Sequence, residues 1–190
     1  MDRGTRLFWT IVLCLFGASA FLGFRAFSIR AAAMAAAATL QTGELARLVT
    51  VVDGETVVVN NPAGDRVVVR VVGIKTLEAQ GKDPVALHTQ NAIRAMEKAL
   101  ENPVRVLVGA PPRDKHGRVL ATLYRDDEDV ALRLVRDGLV LVYTPFPFPA
   151  MHAYLSAQTK ARAERKGLWA DPAATARADA LATAWRNGGE

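Results

Sequence analysis

Residues 44–74 read ELARLVTVVDGETVVVNNPAGDRVVVRVVGI. Three β-branched runs, ELARLVTVV, TVVVNN and DRVVVRVVGI, are broken by Asp53-Gly54 and by Asn61-Pro62-Ala63-Gly64. Valine and threonine suit a pleated, half-buried backbone, and both breaks are built from turn formers. The stretch therefore predicts a three-stranded antiparallel meander.

Toward the C-terminus, residues 84–101 (PVALHTQNAIRAMEKALE) carry apolar residues near helical spacing among good helix formers. They predict a helix, stopped by Asn102-Pro103. Residues 104–108 and 118–124 predict two more strands. The acidic run 126–129 reads as a solvated turn, with Asp129 placed to cap a helix over 130–137 that Gly138 ends. Residues 139–143 predict a short extended piece, and TPFPFPAM a stiff loop. A helix is expected over 150–166, with Arg165 and Lys166 near its negative end. A short C-terminal helix is expected over 172–186. Five strands with helices between and after them give an α+β fold. A small closed barrel of five strands, of OB type, with about three helices, is the leading candidate. Pattern alone does not choose it over other small α+β folds.

Toward the N-terminus, residues 7–24 (LFWTIVLCLFGASAFLGF) carry no charge. As a helix they would span about 27 Å, enough to cross a bilayer's hydrocarbon core. Two readings compete: a single-pass anchor over residues 1–30, or a signal sequence cleaved after Ala18-Ser19-Ala20. The apolar stretch runs past that site to anchor length, which favours the anchor. Arg3 and Arg6 precede it and Arg25 and Arg30 follow, so flanking charge does not fix orientation. Residues 31–43 form an Ala-rich linker, 44–171 the barrel domain and 172–190 a tail.

The formal net charge is +5. Residues 1–40 hold four arginines against Asp2, leaving 20 basic and 18 acidic residues in the rest. The domain thus lacks the general basic surface of a tight, non-specific nucleic-acid binder, and any phosphate binding must come from a local cluster. The single cysteine, Cys14, lies in the apolar stretch, which excludes a cysteine nucleophile in the domain. His88, His116 and His152 lack metal-site spacing.

Four short pieces carry one kind of chemistry: Val52-Asp53-Gly54-Glu55-Thr56-Val57, residues 70–78 (RVVGIKTLE), Asp114-Lys115-His116-Gly117-Arg118, and Gly167-Leu168-Trp169. Phosphodiester cleavage needs positive charge on the phosphate oxygens and a base or metal to supply hydroxide. Arginine's planar fork matches phosphate oxygens better than lysine does. In order and content the four pieces resemble the staphylococcal nuclease (thermonuclease) family over about residues 47–169.

That resemblance implies an OB-type nuclease fold and a set of roles. Arg70 and Arg118 would grip the scissile phosphate, and Glu78 would orient or deprotonate water. Glu55, Asp53 and the Thr76 carbonyl would assist a divalent cation, calcium in the family. Lys115 and Tyr143 would contact substrate, and Lys75 is a further substrate-binding candidate by its own charge rather than by the resemblance. The departure that matters is Lys75, which stands where the family places a calcium-binding Asp. Calcium takes several hard oxygen ligands, and a protonated lysine repels it. The calcium site is therefore expected to be degenerate. Three outcomes stay open: a metal shifted onto Asp53 and Glu55, a lysine that itself neutralises phosphate, or a binding module without hydrolysis. The expected partners are DNA or RNA, single-stranded or loosened, and a membrane through residues 7–24. The domain is expected on the extracytoplasmic side, or secreted if the leader is cleaved.

Overall fold

The valine runs form β1 (Leu45–Val51), β2 (Thr56–Asn60) and β3 (Arg66–Val71), an antiparallel meander with Val51 opposite Val57 and Thr56 opposite Arg70. The chain is described by a computed structural model that covers residues 39–79, 81–101 and 103–188. The apolar stretch 7–24 and the linker up to residue 38 lie outside the described residues. Among the described residues no helix is long and apolar enough to cross a membrane.

The turn residues act as their chemistry dictates. The Asn61 side chain accepts from the Asp65 amide at 2.8 Å, and the Gly64 amide donates to the Asn61 carbonyl at 2.9 Å. Gly73, at a φ of +82°, then breaks the chain, so Ile74 does not continue β3 as the sequence suggests. Instead β4 (Ile74–Lys75) pairs antiparallel with β8 (Leu141–Val142), Lys75 opposite Leu141.

Two longer strands close the barrel. β5 (Val104–Arg113) and β6 (Val119–Arg125) form an antiparallel hairpin. β5 also pairs with β1, and β6 runs parallel to β3 with Arg70 opposite Leu120. The ring β1–β2–β3–β6–β5 is a closed five-stranded barrel of OB type. Its strands alternate as period 2 requires: Val57, Val59, Val67, Val69, Val106 and Leu123 are buried inside, while Val68 and Leu107 face out. β7 (Glu128–Asp129) adds a short edge to β6.

The described residues include four helices, α1 (Ala86–Ala99), α2 (Val130–Arg136), α3 (Met151–Ala163) and α4 (Pro172–Arg186), of which α1 and α2 lie against barrel strands. Asp129 does cap α2, its carboxylate accepting from the Leu132 amide at 3.1 Å. It is not solvated like the rest of the acidic turn, being buried against the Tyr154 hydroxyl, which donates to it at 2.8 Å. A 3-10 turn at Gly167–Ala170 leads into α4, whose Ala174 and Ala178 are buried in one cluster with Leu77, Leu168 and Trp169. Two motif pieces meet here. A Cβ on Gly138 would lie 2.3 Å from the Lys166 carbonyl oxygen, and one on Gly167 would lie 2.3 Å from that of Gly138. Only residues without a side chain allow this approach.

Candidate active site

The chain turns at Asp53-Gly54 because the Asp53 carboxylate accepts from the amides of Glu55 (2.9 Å) and Thr56 (2.6 Å). Gly54 lets the next layer come close, since a Cβ there would sit 2.1 Å from Thr76 Cγ2. The Glu55 side chain is thereby directed inward and is 5% exposed. One of its oxygens accepts from the Thr76 amide at 2.6 Å and the Thr76 hydroxyl at 2.7 Å. The other accepts from the Lys75 ammonium at 2.8 Å and lies 3.6 Å from the Arg70 guanidinium. Burial pushes the Glu55 carboxyl up, but the Arg70 charge, the Lys75 ammonium and the Thr76 amide outweigh it and hold it below its ordinary value.

Arg70 is buried, unlike an ordinary arginine near a strand end. Its guanidinium donates to the carbonyls of Val71 (2.8 Å), Ile74 (2.8 Å) and Glu55 (3.4 Å), which ties the β3–β4 turn to the start of β2. Its Cζ lies 5.8 Å from the Tyr143 ring centroid. Burial lowers the guanidinium's affinity for its proton; Glu55 partly restores it and Arg118 lowers it further.

Arg118 follows the β5–β6 turn. Asp114 shapes that turn by accepting from the amides of His116 (2.9 Å) and Arg118 (3.0 Å) with one oxygen. Its other oxygen takes the Arg118 Nε at 2.7 Å. A terminal Arg118 nitrogen reaches the Thr56 hydroxyl at 3.3 Å. Thr56 is the residue opposite Arg70 in the sheet, so the two arginines converge on one end of the barrel. Lys75 completes the group: its ammonium donates to Glu78 as well as to Glu55. Burial would lower the Lys75 ammonium, but these two carboxylates outweigh it and hold it above its ordinary value. The Glu78 side chain is 76% exposed.

Of the residues singled out in the sequence, Arg70, Arg118, Lys75, Glu55, Thr76, Glu78 and Tyr143 are linked by these contacts. Asp53 faces the turn amides, and Lys115 is exposed on the β5–β6 turn. Thr56 and Asp114, which orient Arg118, lie in the quoted pieces, but neither carries a role in the sequence reading. Asp114 had a signal, an Asp four residues before an Arg across a turn glycine. Trp185 in α4 meets the Tyr143 ring edge-on at 5.2 Å, and nothing in the sequence pattern joins them.

A divalent cation does not fit this donor set. Both Glu55 oxygens already carry two contacts each, and an ammonium stands between Glu55 and Glu78. One Asp53 oxygen is committed to two backbone amides. Among the described residues no three His, Cys, Asp or Glu side chains are grouped to hold a metal ion.

The described residues form a closed five-stranded barrel of OB type with arginines and carboxylates gathered at one end. The family model described as "Staphylococcal nuclease homologue" matches residues 68–171. The chain is also 30% identical, over 128 residues, to a thermonuclease of Staphylococcus intermedius, covering 66% of this chain and 75% of that protein. The chain belongs to the staphylococcal nuclease homologue family. The matched range ends at Asp171, just before α4, whose Trp185 packs on Tyr143.

Proposed function

We propose that the chain is a nuclease-type phosphodiesterase acting on single-stranded or loosened nucleic acid. One observation carries this reading. Of the five buried polar or charged side chains among the described residues, four (Glu55, Thr56, Arg70 and Thr76) sit together at one end of the barrel. Two guanidinium groups converge on the same place. Concentrated buried charge on one small surface is costly for folding and is typical of a functional site.

In the proposed reaction a non-bridging phosphate oxygen sits against Arg118 and the edge of Arg70, whose charge matches the negative charge that builds on phosphorus. A water oxygen forms a bond to phosphorus as one ester P–O bond breaks. The water proton passes to the exposed Glu78 carboxylate, and the leaving oxygen takes a proton from solvent. No step here is assigned to a divalent cation, which this donor set does not fit. Tyr143 offers a face for a base beside the phosphate.

A second reading rests on a specific observation. The Arg70 guanidinium is committed to three backbone carbonyls, which is structural work compatible with a module that binds nucleic acid or protein without cleaving. The experiment that separates the two is a turnover assay of the full chain on a quenched single-stranded oligonucleotide. Arg118→Ala is the clean variant, because Arg118 lies at the surface of the turn while Arg70 braces the barrel. Turnover should fall by about 100-fold or more with the fold intact. Unchanged turnover in Arg118→Ala would remove that residue from the site.

The apolar stretch 7–24 supports a further proposal. The chain is a single-pass membrane protein with the barrel on the extracytoplasmic side; release after signal cleavage is the alternative. Alkaline extraction of membranes followed by protease accessibility distinguishes them. Full solubility of the barrel in the alkaline supernatant would argue for cleavage.

A further inference from the structure

Lys75 occupies the centre of the carboxylate pair. Its ammonium donates to Glu55 at 2.8 Å and to Glu78, and its side chain is only 23% exposed. It is not on a free arm, since β4 pairs with β8 and sets Lys75 opposite Leu141. Among the described residues, the group that bridges the two carboxylates is this lysine's ammonium, while Arg70 reaches Glu55 alone. An ammonium carries three N–H donors, and the two carboxylates use two of them.

We propose that the Lys75 ammonium is the resident cation of this site: it bridges Glu55 and Glu78 and offers its remaining N–H to a non-bridging oxygen of a bound phosphodiester, so that the chain engages its substrate without a divalent metal. The proposal rests on the phosphodiesterase reading above. It extends it by naming the group that supplies the central charge. A covalently held cation is insensitive to chelators, and its position is fixed by folding rather than by metal supply. Lys75→Asp changes the local charge by two units, which one divalent cation offsets. The variant should therefore acquire the metal requirement that the native chain lacks.

The test uses the full chain in mild detergent with EDTA, Ca²⁺ or Mn²⁺, and two readouts. The first is the melting temperature. Neither metal should move the native chain, whereas saturating Ca²⁺ should raise Lys75→Asp by about 4 °C or more. Lys75→Asn, which removes the charge and offers a neutral oxygen, reads the same shift should the Asp variant fail to fold. A comparable rise in the native chain, or none in either variant, would overturn the proposal. The second readout is turnover of the quenched oligonucleotide. The native chain and Lys75→Arg should cleave in EDTA, and Lys75→Asp should lose about 100-fold there. Native cleavage that EDTA abolishes would overturn the built-in cation while leaving the phosphodiesterase reading in place. No native cleavage under any metal condition would instead sink the phosphodiesterase reading, and the melting data alone would then decide the role of Lys75.

Discussion

Two carboxylates are buried among the described residues, and they live in opposite surroundings. Glu55, at the end of the barrel, faces an ammonium and a guanidinium. Asp129, at the joint between α2 and α3, faces a neutral hydroxyl and a backbone amide. Burial raises both. At Glu55 the cations win and the carboxyl is more acidic than usual; at Asp129 the neutral partners do not suffice and it is less acidic. Equal burial therefore gives one group whose charge is demanded and one whose charge is merely tolerated. The first pattern belongs to a site and the second to a helix cap.

Truncating each carboxylate should rank them. Glu55→Ala leaves Arg70 and Lys75 partly buried without their shared counter-ion, a loss of about 3–5 kcal/mol. Asp129→Ala removes a helix cap worth about 1 kcal/mol and orphans the buried Tyr154 hydroxyl at about 1–3 kcal/mol. Urea unfolding of the two variants measures both. A larger loss in Asp129→Ala than in Glu55→Ala would break the ranking.

Acid separates them further. Glu55 is more acidic folded than unfolded. Its contribution is complete above its unfolded value of about 4.3 and fades as pH falls through the depressed folded value. Asp129 is less acidic folded than unfolded. Its contribution is complete below about 3.9 and fades as pH rises through the raised folded value. Asp114, held down by Arg118 and two backbone amides against burial, follows Glu55. Glu55→Gln should therefore flatten the stability profile below about pH 4.3, and Asp129→Asn should steepen it above about pH 3.9. Parallel profiles for the two variants would erase the distinction.

A smaller effect probes how the Glu55 region is packed. Gly54→Ala drives a methyl into Thr76 and toward Ala92, at 2.1 and 3.3 Å. Overpacking of this kind costs about 1–3 kcal/mol. The displaced Thr76 would also loosen its hold on Glu55, so the acid limb should shrink along with the overall stability.

The sequence carried the meander because its information is local. Valine alternation with Asp-Gly and Asn-Pro-x-Gly breaks sets the meander, and Asp129 announces a cap. What it withheld is long-range. The parallel closure of β3 on β6 joins Val69 to Val119, and no local pattern specifies that partner. The β4–β8 pair and the Trp185–Tyr143 contact are hidden for the same reason. At the site, the resemblance carried by the four short pieces pointed to Arg70, Arg118, Lys75 and Glu78, but not to their states. The burial of Arg70 on three carbonyls, and the saturation of Glu55 by Thr76 and Lys75, follow from a turn at Gly73 whose path only the folded chain shows. The substitution at Lys75 was visible in the sequence; its place between two carboxylates was not.

The smallest expected effect comes from a bidentate ion pair between two helices. Arg162 on α3 and Asp179 on α4 make two parallel bonds at 2.6 and 2.8 Å, a fork against a carboxylate. By distance alone it should rival the Glu55 cluster. Yet both side chains are about half exposed, so water and salt screen the charges and solvate either partner when the other is lost. Asp179→Ala should therefore cost no more than about 1 kcal/mol, and less at high salt. Glu55→Ala, with buried partners, should keep most of its larger loss at the same salt. If Asp179→Ala proved as damaging as Glu55→Ala, distance rather than desolvation would govern these pairs, and the special standing of the Glu55 cluster would lose its physical basis.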